Sequence, residues 1–153
     1  MVETGDSNAK KLYRQVFSDN MSKKKDPVIT EKQKTIDFTC VTFTPDLKRF
    51  KMDRLDEDIV ALFTKRVYDM AGCTDSKVKV QLNGSEIPIK NFKQYVDLYL
   101  KNEEAKELPV ITQLKSDRWE VICSLSDGSF QQVSFVNSIC TTKGGTHVEY
   151  IVD

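Results

Sequence analysis

Cys140 and His147 stand seven residues apart across Gly144-Gly145, and His147 is the single histidine of the chain. A Ser-His-Asp or a Cys-His arrangement would have to recruit that one imidazole. A cysteine hydrolase needs the ring within hydrogen-bond reach of the sulfur and a third group to orient the ring. Nearness in sequence supplies neither, and a histidine in the first turn of a helix reads as structural. Cys40, Cys73, Cys123 and Cys140 form no C-x-x-C pair, so neither a zinc site nor a disulfide framework is indicated, and reduced intracellular thiols are expected. No G-x-x-x-x-G-K-[ST] or G-x-G-x-x-G phosphate cradle occurs. Gly144-Gly145 before a helix start is a place where an anion can in principle sit, but a tight strand-to-helix turn is the preferred reading. Asp53, Asp56, Glu57 and Asp58 cluster where a helix dipole favours negative charge, which accounts for them without a metal. Lys23, Lys24 and Lys25 read as a solvated turn rather than a DNA contact. No catalytic, cofactor-binding or metal-binding side chain is assigned on these grounds.

The elements that would position these residues are punctuated by few breaks, with six glycines and four prolines in 153 residues. Lys10 to Asn20 fits a helix face or a two-faced strand, and a strand is preferred. Residues 21–34 read as an exposed loop or hairpin tip. Thr35 to Phe43, β-branched and aromatic on both faces, reads as a covered central strand ended by Pro45. Leu55, Ile59, Leu62, Phe63, Val67 and Met70 recur at threes and fours and predict an amphipathic helix with Gly72 as its stop. Asn83-Gly84 predicts a type I′ hairpin turn between Val78–Leu82 and Glu86–Ile89. Phe92, Tyr95, Val96, Tyr99 and Leu100 predict a second helix, followed by a polar exit loop, KNEEAKE. Trp119 to Leu125 alternates, and Asp127-Gly128 predicts a turn into Phe130 to Ile139, making a long second hairpin. Thr146-x-x-Glu149 has the form of a capping box that opens a third helix. That helix has seven residues before Asp153, which suggests a chain ending inside an element.

This length is about one domain's worth, or two small halves, and 39% hydrophobic content with eight Phe, five Tyr and one Trp suffices for a core. Lysine plus arginine and aspartate plus glutamate each total 23, for a net charge of zero. A strongly basic nucleic-acid module is excluded, because such affinity comes from an excess of cations that neutralise phosphate. No run approaches the roughly 18 apolar residues of a membrane span, and the first twenty residues are too polar for a signal peptide. The pattern as a whole is α+β, with mixed or antiparallel sheets and packed helices.

The segment RWEVICSLSDGSFQQVSFVNSICTTKGGTHVEYIVD, Arg118 to Asp153, resembles the transducer region of eukaryotic type II DNA topoisomerases. DEDIVALFTKRVYDMAG, VKVQLNG and FKQYVDLYL are similar to the stretch preceding it in those proteins, in the same order, so the resemblance runs nearly end to end and is weakest over 21–34 and 101–117. It implies that residues 1–90 are the C-terminal part of a GHKL-type ATPase domain and that 91–153 begin a transducer domain of ribosomal-protein-like α/β form. It implies a role in coupling ATP binding and hydrolysis to DNA strand passage. The family's ATP- and magnesium-binding residues and its DNA-cleaving tyrosine would lie outside this segment, leaving no activity in the chain alone. Expected partners are full-length topoisomerase or a second copy of the chain, with DNA engaged only in the whole enzyme and no membrane. Location would be nuclear, or cytoplasmic for a mere fragment. Two other readings compete: an autonomous, non-catalytic module that binds topoisomerase or another chromosomal protein, and a small cytosolic enzyme built on Cys140 and His147.

Overall fold

The computed structural model describes residues 1–101, 110–126 and 128–153. Two compact units divide between Arg54 and Leu55.

In the first unit, strand β1 (Val2–Asp6) is followed by β2 (Lys11–Gln15), β3 (Phe17–Ser18), β4 (Lys23–Lys24), β5 (Val28–Glu31) and β6 (Phe38–Val41). Four of these form an antiparallel sheet in the order β5-β2-β1-β6, with Thr4 opposite Tyr13 on one side and Thr39 on the other. The strand preference for Lys10 to Asn20 agrees with β2 and β3. The exposed loop or hairpin tip expected over 21–34 agrees in part: β4 closes a short hairpin with β3, while β5, which pairs with β2, is strand rather than loop. The lysines and Pro27 that suggested a loop are compatible with an exposed edge, where only one side of a strand is hydrogen-bonded. The central strand expected over Thr35 to Phe43 is the opposite edge: β6 has all four residues exposed, and Ile36 and Phe43 flanking it are each 75% exposed. The central places belong to β2 and to β1, whose polar VETGD gives no strand pattern and which is held by pairing on both sides.

The second unit begins with helix α1 (Glu57–Cys73). Asp56 caps it, its Oδ1 accepting from the Ile59 N–H at 2.9 Å, with Glu57 and Asp58 in the first turn where the dipole favours them. Gly72 is not a stop. It lies inside the helix because Tyr95 sits on it: a Cβ there would be 2.5 Å from the tyrosine Cγ. The helix ends at Thr74 instead, whose N–H and hydroxyl both donate to the Met70 carbonyl.

The short hairpin β7 (Gln81–Leu82) and β8 (Ser85–Glu86) turns at Asn83 and Gly84, whose φ values of 51° and 82° match the I′ expectation. Helix α2 (Phe92–Leu100) follows, capped by the Asn91 side chain. Of the expected exit loop only Lys101 falls within the described residues.

Strand β9 (Val110–Lys115) pairs with β10 (Glu120–Ser124) in antiparallel fashion. The long hairpin expected from Trp119 to Ile139 is therefore wrong: β10 has its partner upstream, in the stretch where the family resemblance is weakest. Asp127 of the expected turn lies outside the described residues. Downstream, among the described residues, β11 (Phe135–Val136) pairs only with β12 (Ile139–Cys140), around Asn137 and Ser138, both at positive φ.

Helix α3 (Thr146–Val152) occupies the expected place, but Gly145 is its N-cap, at φ 145°, and no side chain caps it. The capping box does not form because Thr146 is already the first helical residue. The buried core of this unit comprises Ala71, Ile87, Ile89 and Tyr95, flanked by Val67, Tyr68, Val80, Leu82, Phe92 and Phe135.

Candidate functional site

The structure does not join Cys140 to His147. The imidazole Nε2 lies 3.1 Å from Thr141 Oγ1 and 3.3 Å from Ser134 Oγ, which are themselves 2.6 Å apart. Gln132 adds its amide, which donates to the Thr142 carbonyl at 3.1 Å. His147 thus closes a small hydroxyl cluster at the foot of α3, with no carboxylate to orient the ring and no thiol against it. Cys140 lies on β12, opposite Phe135 of β11.

The other candidates resolve locally. Asp56 is a helix cap and Glu57 and Asp58 complete the first turn, while Lys23 pairs with Asp19 at 2.6 Å in the β3–β4 turn. Gly144 and Gly145 turn the chain into α3, where the Gly145 carbonyl accepts from Val148 and Glu149. Among the described residues no cluster of three or more His, Cys, Asp or Glu side chains is placed to hold a metal ion.

The group that the sequence did not single out is Asp69, which has no exposed surface. Its carboxylate accepts from Lys65 Nζ at 2.8 and 2.9 Å, from Arg66 Nη1 at 3.1 Å and from the Tyr95 hydroxyl at 2.7 Å. The Tyr95 hydroxyl also meets that of Tyr99 at 2.8 Å, and Arg66 reaches on to the Ser138 carbonyl at 3.4 Å. Burial alone would push the Asp69 carboxyl up, but the hydrogen bonds from Lys65, Tyr95 and Arg66 outweigh it and hold the group below 3.8. For Lys65 the balance is reversed in sign, burial pulling the ammonium down and the bond to Asp69 raising it further, to a net rise. Burial, with the Asp69 charge nearby, pushes the Cys73 thiol up to about 11, and burial and the Tyr99 bond push the Tyr95 hydroxyl up as well. One sign of this cluster was present in the sequence: an acidic residue near the C-terminal end of α1, where the dipole disfavours it, needs a strong local partner. Lys65, Tyr95 and Tyr99 also line an open groove of about 590 Å³ between the two helices, with Leu55, Val60 and Leu98.

What this arrangement can do is mechanical. It fastens α1, α2 and the β11–β12 turn around one charge.

From α2 onward the sequence is that of a DNA gyrase B domain, the family model matching residues 91–153. The chain belongs to the type II DNA topoisomerase family and corresponds to part of its ATPase region. It is 56% identical to the DNA topoisomerase 2 of Arabidopsis thaliana over 99% of its own length, and 52% identical to the DNA topoisomerase 2-alpha of Gallus gallus, also over 99%. In each case it spans 10% of the relative. The crystal structure of the ATPase region of Saccharomyces cerevisiae topoisomerase II superposes with a TM-score of 0.90 at 49% identity, over 99% of this chain and 39% of that one. The ATPase and transducer domains of topoisomerase II from Balamuthia mandrillaris give 0.83 at 38% identity, over 99% of this chain and 38% of that one. The α+β architecture agrees with these structures.

Proposed function

We propose that this chain acts as the coupling segment of an ATP-dependent type II topoisomerase, carrying the ATP-driven movement of upstream residues toward the parts that pass one DNA duplex through another. The observation that carries the reading is the 0.90 TM-score over 99% of the chain to an ATPase region of that class, together with a polar centre that fastens elements rather than exposing reactive groups. Residues 1–90 serve as the C-terminal part of the GHKL-type ATPase domain and 91–153 as the start of the transducer, a division supported by the family match beginning at 91. ATP and magnesium are held by residues outside this segment. DNA is engaged only by the whole enzyme, the immediate partner is the remainder of a topoisomerase or a second copy, and the working location is the nucleus. The autonomous interaction module draws no support from the relatives.

The test is a chimera of Saccharomyces cerevisiae topoisomerase II in which these 153 residues replace their counterparts. It should relax supercoiled DNA in an ATP-dependent manner. A chimera that folds and hydrolyses ATP but passes no DNA would count against the reading, and so would saturable binding of magnesium-ATP to the isolated chain in calorimetry.

A further inference from the structure

We infer that Asp69 is a positioning residue, a pin that makes α1, α2 and the β11–β12 turn move as one body. The inference rests on the coupling function proposed above and names the contact through which movement crosses residue 91.

The elements it joins lie on both sides of that residue. Helix α1 ends at Cys73, ahead of the stretch that matches the gyrase B family, whereas α2, β11 and β12 lie within it. Two links cross residue 91, and a third joins their far ends. The Tyr95 hydroxyl of α2 donates to Asp69 at 2.7 Å. Arg66, held by Asp69, donates to the Ser138 carbonyl in the β11–β12 turn. The Tyr95 ring stands edge-on to Phe135 of β11 with centroids 5.7 Å apart, closing the triangle.

The geometry leaves little slack. Gly72 lets the Tyr95 ring lie directly on the α1 backbone, and Tyr95 is 2% exposed. Sliding α2 along α1 by one hydrogen-bond length would leave a fully buried carboxylate without its hydroxyl donor, and a buried charge that loses a partner is strongly disfavoured. An apolar contact of the same area would tolerate such sliding, because dispersion falls off gradually and has no direction. Ser138 reinforces the point: it takes the left-handed conformation at φ 64° in a two-residue turn, which fixes where its carbonyl meets Arg66.

The experiment uses the yeast chimera with Tyr95→Phe, Asp69→Asn and, as a control, Ile87→Val, which thins the same buried core without touching hydroxyl or carboxylate. The readout is strand passages per ATP hydrolysed. Tyr95→Phe and Asp69→Asn should lower that ratio by roughly threefold to thirtyfold, the range over which coupling networks respond to mutation, while ATP turnover stays near that of the parent chimera. The double variant should be no worse than Asp69→Asn alone. Ile87→Val should lower neither. Unchanged ratios in Tyr95→Phe, or an equal fall in Ile87→Val, would overturn the pin, since loss of fold reduces both activities together. A parent chimera that hydrolyses ATP without strand passage would instead remove the coupling function itself, and Tyr95→Phe, which deletes one oxygen, keeps the test open if Asp69→Asn fails to fold.

Discussion

Replacing Asp69 by alanine separates the contributions around its carboxylate. Lys65 and Arg66 have side chains 42% and 40% exposed, so each regains water when the carboxylate goes, and each pairing is worth only about 0.5 kcal/mol. The Tyr95 hydroxyl is buried and loses an ionised acceptor, a bond worth about 1.5–3 kcal/mol. It keeps Tyr99 as a partner at 2.8 Å, which places its loss near the lower bound. Together these give a destabilisation of about 2–3 kcal/mol for Asp69→Ala. Tyr95→Phe alone should cost about 1.5 kcal/mol, since Asp69 still has both cations. The double variant should cost less than the sum, because the shared hydroxyl-carboxylate bond can be lost only once, and a coupling of about 1–1.5 kcal/mol is expected. Urea unfolding followed by fluorescence is suited to this cycle, because the single tryptophan, Trp119, lies in the same compact unit as Asp69. A coupling energy below about 0.5 kcal/mol, the usual limit of additivity for independent sites, would refute the reasoning.

Four further outcomes follow from the structure. Since the Asp69 carboxyl is held below 3.8 in the folded chain, its stabilisation is present in full above that value and lost as pH falls through the folded one, so Asp69→Asn should flatten the acid limb of stability against pH; an unchanged limb in urea melts would contradict it. Gly72→Ala should destabilise by about 1–3 kcal/mol through overpacking against Tyr95, and a variant as stable as the parent in the same melts would mean that the helices separate freely. With its thiol near 11, Cys73 should alkylate far more slowly at neutral pH than exposed Cys40 and Cys123, as mass-resolved iodoacetamide labelling can measure, and His147→Ala should leave the Cys140 rate unchanged.

Local physics made part of this structure legible. Both long helices follow from apolar residues at threes and fours, the Asp56 and Asn91 caps coming to light only in the structure, and the β7–β8 turn follows from Asn83-Gly84. The strands were harder, because pairing is a property of two segments. VETGD becomes central only through its neighbours, and β10 alternates convincingly while giving no hint that Val110–Lys115, rather than the residues after it, is its partner. Thr146 and Glu149 have capping-box spacing, yet Gly145 starts the helix one residue earlier. The Asp69 site escaped for a different reason: Lys65 and Arg66, toward the C-terminal end of α1, are accounted for by the helix dipole alone, and only the placement of Tyr95, 26 residues on, turns them into the rim of a buried cluster. The family resemblance was legible from unbroken strings such as FQQVSFVNSI.

The β7–β8 turn also has a bearing on how the molecule ages. Asn83 is exposed, and a Cβ built on Gly84 would have no neighbour within 4 Å, so nothing crowds the approach of the Gly84 amide nitrogen to the Asn83 side-chain carbonyl. That attack expels ammonia and closes a succinimide, which hydrolyses to aspartate or isoaspartate. Either product adds a negative charge to a chain of zero net charge, and isoaspartate also lengthens the backbone by one methylene within a two-residue turn. The β7–β8 ladder, only two residues long on each side, has little pairing with which to absorb that change. Stored protein should therefore accumulate a more acidic form whose modification maps to residue 83, and Asn83→Asp, which keeps the normal backbone, would separate the effect of the charge from that of the extra methylene.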